Sequence, residues 1–217
     1  MILITGTTSG IGHTATAKLL ETDAVTGIAR RPNPFPDHPH YTHLQADLTT
    51  LTDYPKLTPT AIIANAGAGL FGSLENFATS DIHNLIHLNL LAPILLIKHY
   101  LPQMKQQEKG KIILIGSEAA LNAHRKGTVY CATKFALRGF AQALRHECAS
   151  NNIQVTLINP GMVDTPFYEH QHFTPGPSHL TAEDVVDTLI HTLRAPYPID
   201  EINLSPQTKT LNFKKER

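Results

Sequence analysis

The sequence carries no excess charge of either sign. Its 217 residues include 18 Lys plus Arg and 18 Asp plus Glu, so the formal net charge is zero. Such a chain has no strong global field to recruit nucleic acid or an anionic membrane surface, and we expect neither as a partner. Hydrophobic residues make up 41% and charged residues 17% of the chain, which argues against disorder.

Cysteine is scarce, because the chain has only Cys131 and Cys148, both in a stretch with a helical pattern. No CxxC or Cys/His spacing accompanies them, which argues against a disulfide scaffold and a structural zinc site. A reducing compartment, and hence a cytoplasmic protein, is the simpler expectation.

His83 and His87 are four residues apart but lack a HExxH glutamate and a third ligand, so we expect a solvated helix face and no metal.

Long hydrophobic runs are also missing. The longest, residues 88–97, is interrupted by Asn89 and Pro93, whereas a bilayer span needs roughly 18 apolar residues. We therefore expect no membrane span. Residues 2–4 are apolar without a basic segment before them, so we interpret them as a first strand and not as a signal peptide.

Short apolar runs alternate with helical patterns along the chain. The runs predict strands at residues 2–4, 24–29, 43–44, 61–64, 112–115, 155–158 and 201–204. The helical patterns lie at residues 11–21, 82–104, 128–150 and 181–193. This alternation predicts a parallel sheet that is covered by helices on both faces.

Two stretches lack a regular pattern. Residues 31–41 contain prolines at positions 32, 34, 36 and 39, which exclude a long helix where a helix usually connects two strands. Residues 167–179 are rich in His, Pro and Gly, and we expect a loop there at the mouth of the site. We expect one domain over residues 1–206 and a frayed C-terminal tail over residues 207–217.

A glycine-rich turn follows the first predicted strand and opens the first predicted helix. It reads Thr5-Gly6-Thr7-Thr8-Ser9-Gly10-Ile11-Gly12. Gly6 permits a tight turn, Gly10 lets backbone N–H groups approach a pyrophosphate, and Gly12 lets the helix pack against the strand. The helix N-terminus adds unpaired donors and a partial positive charge, so the turn predicts a dinucleotide site.

The spacing of this turn resembles the TGxxxGxG turn of the short-chain dehydrogenase/reductase family. The resemblance extends over about residues 1–206, nearly the whole chain. It implies an α/β fold with a single Rossmann-type, doubly wound parallel sheet in the strand order 3-2-1-4-5-6-7. It also implies that the helices at residues 82–104 and 128–150 pair with copies in a homodimer or homotetramer.

The end of the second predicted strand bears on the choice between NAD and NADP. An acid at this place binds the ribose 2′-OH, whereas an arginine accommodates a 2′-phosphate. Here the strand is followed by Arg30-Arg31, and no carboxylate appears before Asp37. A guanidinium matches phosphate geometry, so we predict NADP(H) as the cofactor. The alternative is that both arginines are solvated charges.

Three further motifs resemble cofactor contacts of the family. They are Asp47-Leu48 at the adenine, Asn65-Ala66-Gly67 at the central ribose, and Pro160-Gly161 with the Val163 backbone and the Thr165 hydroxyl at the nicotinamide carboxamide. A simple turn aspartate is an open alternative for Asp47. Ala64 stands where the family has a further Asn, a mild departure.

Tyr130 and Lys134 are four residues apart on a predicted helix and share a face. Carbonyl reduction needs a proton donor, and we expect the Lys134 ammonium to lower the pKa of the phenol below its ordinary value of about 10. Lys134 is also expected to hold the nicotinamide ribose. Ser117 ends the fifth strand, thirteen residues before Tyr130, where its hydroxyl can hold the substrate oxygen. The family resemblance implies this Ser, Tyr and Lys set.

Asn89 lies four residues before Pro93, which has no N–H to offer. We therefore expect a kink and a free carbonyl at Asn89 that can hold a water. The resemblance implies that this water links to Lys134. The alternative is a tolerated Asn in a core helix.

Together these residues predict hydride transfer between NADP(H) and a small carbonyl or alcohol substrate. An open alternative is an NADP(H)-binding sensor or interaction protein with little turnover. A hydrolase based on Ser117 is disfavoured because Gly116-Ser117-Glu118-Ala119 is not GxSxG. A sugar epimerase is disfavoured by the short chain and the form of the turn. Residues 71, 167, 168 and 173 are aromatic and line the pocket or pack in the core and rim.

Overall fold

In the computed structural model, which describes residues 1–169, 171, 173–208 and 211–213, a seven-stranded parallel sheet forms the centre of the protein. Its order is β3-β2-β1-β4-β5-β6-β8. The strands are β1 (Ile2–Thr5), β2 (Val25–Ala29), β3 (Tyr41–Gln45), β4 (Ala61–Ala64), β5 (Gly110–Ile115), β6 (Ile153–Pro160) and β8 (Glu201–Leu204). The predicted order is confirmed, and the last sheet strand is the eighth because a short strand precedes it.

In the described residues, five α-helices cover the two faces of the sheet. They are α1 (Gly10–Leu19), α2 (Thr79–Ile86), α3 (Ala92–Gln106), α4 (Thr128–Cys148) and α5 (Ala182–Arg194). Successive strand residues point to opposite faces. Accordingly, Ile4 joins the apolar cluster under α1 and α5, whereas Leu3 joins the cluster under α3 and α4. Burial on both faces explains why the strands are continuous apolar runs.

The helix predicted at residues 82–104 is divided by a π-helical turn. α2 begins at Thr79, the π-helical turn spans His87–Leu91, and α3 follows from Ala92. The N–H of Ala92 donates to the carbonyl of His87, five residues back. Pro93 lacks an N–H, so the regular hydrogen-bond ladder cannot continue past it. The interruption falls where the sequence places the kink.

The continuous helical stretch 79–106 satisfies the length and composition criteria for a membrane span. Its most apolar window has a mean hydropathy of 1.3, and 39% of that window is buried inside the protein. Core helices meet the same criteria, and α3 buries Leu96, Ile97 and Tyr100 against the sheet. The predicted pairing of α3 and α4 with copies stays a prediction.

The crossover between β2 and β3 contains no helix, as its prolines indicate. Phe35 anchors it by stacking on His13 of α1 at 4.9 Å between ring centroids. The ring of Phe35 also meets Tyr41 edge-on at 5.2 Å. The trimmed crossover thus packs through one aromatic residue between α1 and the start of β3.

Two expectations for irregular segments are wrong in part. Residues 167–179 are not loop throughout, because Pro166–Tyr168 form a 3-10 turn and Phe173–Pro175 form β7. The tail is not frayed at Leu211–Phe213, which form β9 and pair antiparallel with β7. This pairing joins segments about 40 residues apart, so no local pattern announces it. Residues 214–217 lie outside the described part of the chain.

Helix α1 approaches the turn before it very closely at Gly12. A Cβ atom at Gly12 would lie 2.1 Å from the carbonyl oxygen of Gly6 and 2.4 Å from Nδ2 of Asn65. Neither backbone oxygen nor hydrogen-bonded amide can retreat without moving β1 or β4. Gly139, in the middle of α4, has no atom within 4 Å of its Cβ position.

This contrast predicts opposite effects for one added methyl group. Gly12→Ala should lower the free energy of unfolding by about 1–3 kcal/mol, because overpacking forces the backbone to shift. Gly139→Ala should raise it by about 0.5–1 kcal/mol, because alanine loses less conformational entropy in a helix. Urea unfolding of both variants measures this difference. Equal effects at the two positions would contradict the packing argument.

Candidate active site

The carboxyl ends of the parallel strands meet at one cavity of about 720 Å³. The residues that the sequence assigns to cofactor and catalysis line it, with the exception of Gly12 and Asn89. The lining ones are Gly6, Thr8, Ser9, Gly10, Ile11, Arg30, Arg31, Asp47, Leu48, Asn65, Ala66, Gly67, Ser117, Tyr130, Lys134, Pro160, Gly161, Val163 and Thr165. The volume is in the range of small-molecule and cofactor sites.

The glycine turn forms one wall of this cavity. Gly6 and Gly10 have φ angles of 76° and 52°, a left-handed backbone region that favours glycine. Ser9 is the N-cap of α1, and its side chain makes no capping hydrogen bond. The first N–H groups of α1 therefore remain available to an anion at the cavity wall. These features fit the pyrophosphate of a dinucleotide.

The turn is tied to the end of β4 by Thr5 and Asn65. The Thr5 hydroxyl accepts hydrogen bonds from the N–H groups of Asn65 and Ala66, each at 3.0 Å. Nδ2 of Asn65 donates to the carbonyl of Thr5 at 3.0 Å. This linkage places the Asn65-Ala66-Gly67 motif next to the glycine turn.

Two arginines stand at the end of β2, where the adenosine ribose would lie. Nε of Arg31 donates to the Thr8 hydroxyl at 3.0 Å, so this side chain lies against the glycine turn. The Arg30 side chain is 73% exposed and lies 3.9 Å from the Asp47 carboxylate. The arginines thus form a cationic edge of the cavity, which fits a 2′-phosphate.

Asp47 forms a turn, as the alternative interpretation predicts, and its predicted contact with the adenine stays a prediction. Its carboxylate accepts from the backbone N–H and hydroxyl of Thr49 at 2.8 and 2.7 Å, as turn aspartates do. These bonds, with Arg30 nearby, hold the pKa of Asp47 below its ordinary value. The residue lines the cavity as well.

Tyr130 and Lys134 are buried together on α4. Nζ of Lys134 lies 5.8 Å from the centroid of the Tyr130 ring and donates to the carbonyl of Ile115 at 3.0 Å. The Ser117 side chain is close enough to the Tyr130 phenol to lower its pKa. The Ser117 hydroxyl accepts from the N–H of Ala119 at 3.1 Å. The predicted Ser, Tyr and Lys set is therefore brought together at the cavity, with Tyr130 and Lys134 buried and Ser117 half-buried.

The expected lowering of the Tyr130 pKa is wrong for the protein chain by itself. Burial raises the pKa of Tyr130 to about 12, and the hydrogen bond with Ser117 offsets only part of this rise. Burial also lowers the pKa of Lys134 to about 8. Removing water penalises both charged forms, and this desolvation outweighs their mutual attraction.

Asn89 has a structural task that the sequence analysis missed. Its Oδ1 accepts from the N–H of Ala68 and its Nδ2 donates to the carbonyl of Ala68, both at 2.9 Å. Nδ2 also contacts the Thr133 hydroxyl at 3.3 Å. Asn89 thus fixes the loop after β4 against α4 from behind the cavity. The signal in the sequence was an Asn four residues before a helix-breaking proline.

Aromatic rings surround the mouth of the site near Tyr130. The ring of Phe71 lies 5.1 Å from the Tyr130 ring, and that of Phe167 lies 6.0 Å from it. Phe167 and Tyr168 line the cavity, whereas Phe71 and Phe173 pack behind them. Burial raises the pKa of Tyr168 well above its ordinary value.

The segment after Phe167 contributes cavity residues that the sequence did not reveal. Glu169 and Gln171 line the cavity, and Nε2 of Gln171 donates to the carbonyl of Gly69 at 3.3 Å. His170 and His172, for which their place in the predicted loop favours the surface over a contact with substrate, lie outside the described part of the chain. In the residues described, no three His, Cys, Asp or Glu side chains are grouped as a metal site would require.

Comparison with known proteins identifies the family. A family model described as short chain dehydrogenase matches residues 1–174. The short chain dehydrogenase adrF of Penicillium roqueforti is 31% identical over 76% of this chain and 70% of its own length. The chain therefore belongs to the short-chain dehydrogenase/reductase family. It spans less than half the length of some other curated relatives, such as mouse 17-beta-hydroxysteroid dehydrogenase type 1 at 47%, but 71% of the sepiapterin reductase of Chlorobaculum tepidum.

Solved structures share the fold over nearly the full length. The closed form of serine dehydrogenase complexed with NADP+ has a TM-score of 0.86 at 24% identity and covers 100% of both chains. A 4-hydroxyisoleucine dehydrogenase complexed with NADH and succinate has a TM-score of 0.83 at 23% identity, covering 95% of this chain and 98% of its own. The fold thus serves both nicotinamide cofactors in these two structures.

Burial of Lys134 predicts a pH-dependent stability. Its folded pKa, about 8, is below the ordinary value of 10.5, so at pH 7 folding buries a charged amine at a cost. Lys134→Met should raise the free energy of unfolding at pH 7 by about 1–2 kcal/mol. The gain should shrink as pH rises from 8 to 10.5, because the wild-type amine is then neutral in the folded state. Above 10.5 the amine is neutral in both states, and the gain should be gone.

Tyr130→Phe is the matched control, because phenol and benzene rings are both uncharged at pH 7. It should give no comparable gain at that pH. Denaturant unfolding of the two variants and the wild type between pH 7 and 10 measures the effect. A Lys134→Met gain that is independent of pH would contradict the desolvation argument.

Proposed function

We propose that the protein transfers a hydride between NADP(H) and a small carbonyl or alcohol substrate. The observation that carries the proposal is the group formed by the half-buried Ser117 and the buried Tyr130 and Lys134, which opens onto the same cavity as the glycine turn. A dinucleotide whose pyrophosphate lies at α1 extends along this cavity toward Tyr130. The bound nicotinamide would supply or accept the hydride.

Tyr130 is suited to donate the proton. Its raised pKa keeps the phenol protonated near neutral pH, so it can donate to a carbonyl oxygen as negative charge develops there. The Ser117 hydroxyl, which lines the cavity beside the phenol, would donate its proton to that oxygen, and this bond would orient the oxygen and help to stabilise the developing alkoxide. The positive charge of Lys134 stabilises the phenolate that remains.

Lys134 also has the properties of a proton carrier. A pKa of about 8 allows it to gain and lose a proton close to neutral pH. Its Nζ atom is held by the Ile115 carbonyl, so the amine stays near the phenol between turnovers. We extend the proposal to the Asn89 carbonyl, which would hold the water through which the proton returns.

The far end of the cavity supports NADP(H) over NAD(H). Arg30 and Arg31 provide two guanidinium groups at the end of β2, and Arg31 is already oriented by Thr8. The nearby carboxylate of Asp47 is engaged by Thr49 and Arg30. A doubly charged 2′-phosphate would gain charge-assisted hydrogen bonds here that a 2′-OH cannot make.

Turnover should depend on the Tyr130 hydroxyl. Tyr130→Phe removes the proton donor while keeping the ring, so kcat with NADPH and a panel of carbonyl substrates should fall by about 100-fold or more. Affinity for NADPH should change little. Tyr197→Phe, at a phenol that is 55% exposed, is the control. Tight NADPH binding by the wild type without turnover on any substrate would instead indicate a binding protein.

Another prediction concerns the cofactor. Arg30→Asp and Arg31→Ala should each lower the ratio of NADPH to NADH affinity by about tenfold or more, through lost pairing or added repulsion. Lys109→Asp makes the same charge change as Arg30→Asp. Lys109 lies just before β5, at the amino end of that strand, whereas the cavity lies at the carboxyl ends. Titration of nicotinamide fluorescence gives both dissociation constants. An unchanged ratio in both arginine variants would refute the assignment of NADP(H).

A further inference from the structure

A closed ring of hydrogen bonds connects the glycine turn with side chains of β3 and with Arg31, just after the end of β2. The Thr7 hydroxyl bonds the Tyr41 hydroxyl at 2.8 Å, and the Tyr41 hydroxyl bonds Nδ1 of His43 at 3.0 Å. Nε2 of His43 bonds the carbonyl oxygen of Arg31 at 3.0 Å. Nε of Arg31 bonds the Thr8 hydroxyl at 3.0 Å, and Thr8 follows Thr7 in the chain. The ring therefore begins and ends in the turn.

The chemistry of the partners assigns the protons around this ring. A carbonyl oxygen only accepts, so Nε2 of His43 must be the donor to Arg31. In the neutral imidazole Nδ1 then accepts, which makes the Tyr41 hydroxyl the donor to His43 and the Thr7 hydroxyl the donor to Tyr41. Burial raises the pKa of Tyr41, which keeps this phenol in the protonated form that the ring requires.

The surroundings are shaped around the Tyr41 hydroxyl. A Cβ atom at Gly27 of β2 would lie 2.2 Å from that oxygen, so only glycine leaves room for it. Phe35 meets the Tyr41 ring edge-on at 5.2 Å and packs against this ring from the side of the crossover. Tyr41 is 8% exposed and Thr7 is fully buried. The phenol is therefore confined to the position that joins turn and strand.

The strand β3 also holds the neighbouring arginine. Nε2 of Gln45 donates to the carbonyl of Arg30 at 3.0 Å. His43 and Gln45 are two residues apart and so lie on the same side of β3. Side chains of one edge strand thus hold the main chain of both arginines, while Thr8 orients one of the side chains.

We propose that Tyr41 and His43 are positioning residues that set recognition of the cofactor's 2′-phosphate. This inference rests on the proposed NADP(H) function. The ring holds the Arg31 main chain through its carbonyl and the Arg31 side chain through Nε, at a fixed offset from the pyrophosphate turn. A 2′-phosphate needs this offset, because it must reach the arginines while the pyrophosphate stays at α1. A cofactor with a 2′-OH makes no such demand.

Substitutions of His43 separate this role from simple structural support. His43→Leu removes the donor to the Arg31 carbonyl, and the affinity for NADPH should fall by about fivefold. The affinity for NADH should change by less than about twofold. His43→Gln retains an amide donor at a similar reach and should restore most of the NADPH affinity. Thr42→Ala changes the exposed neighbour on the other side of β3 and should leave both affinities unchanged.

Fluorescence titrations with NADPH and NADH, and competition by 2′,5′-ADP against 5′-AMP, measure these effects without turnover. A loss of affinity in His43→Leu that is confined to NADPH, with rescue in His43→Gln, supports the inference. Equal losses for both nucleotides, or no loss, overturn it. Tyr41→Phe opens the ring at another bond and should give the same selective loss. It provides the test if His43→Leu cannot be purified.

The wild-type ratio distinguishes failure of the inference from failure of the proposed function. A wild type that binds NADH as tightly as NADPH, with Arg30→Asp unchanged, overturns the NADP(H) proposal and the inference with it. A wild type that prefers NADPH and keeps that preference in His43→Leu and Tyr41→Phe overturns the inference alone.

Discussion

The close approach of helix α1 to the turn at the end of β1 is the constraint on which the cavity depends. Gly12 lies against the Gly6 carbonyl, where no side chain could fit, and the Asn65 amide closes the same point from β4. This contact aims the first N–H groups of α1 at the cavity and aligns the ends of two strands. A shift of α1 would move the anion-binding wall relative to the Tyr130 side of the cavity. The distance between the anion-binding wall and Tyr130 would then no longer match the length of one bound molecule.

Burial of the reacting groups follows from this arrangement and has a thermodynamic cost. Desolvation raises the pKa of Tyr130 and lowers that of Lys134, so it favours the neutral form of each. The chain offsets this cost with two large apolar clusters on the faces of the sheet. The same desolvation strengthens every electrostatic interaction inside the cavity, including any with a charged cofactor ring. The lowered Tyr130 pKa expected from Lys134 alone is therefore not a property of the chain by itself.

Local patterns in the sequence predicted most of the fold and much of the site. Continuous apolar runs identify buried parallel strands, and the glycines at positions 6, 10 and 12 identify the turn, because each signal depends on neighbours in the chain. The pairing of β7 with β9, the bonds of Asn89 to Ala68, and the sign of the Tyr130 shift depend on distant contacts. Periodicity and spacing carry no information about such contacts. For the same reason Glu169 and Gln171 were not identified as cavity residues.

The proline-rich crossover explains why an edge strand organises the arginines. A helix after β2 would ordinarily cover this side of the sheet, but residues 31–40 form none, and the Phe35 ring packs between His13 of α1 and Tyr41. Without a covering helix, the polar main chain of Arg30 and Arg31 needs other partners. The side chains of β3 provide them, since β3 pairs in register with β2 up to Ala29 and Gln45. The absence of a helix in residues 31–40 and the presence of Tyr41, His43 and Gln45 on β3 are therefore linked. The side chains of β3 provide hydrogen bonds to a main chain that no helix covers.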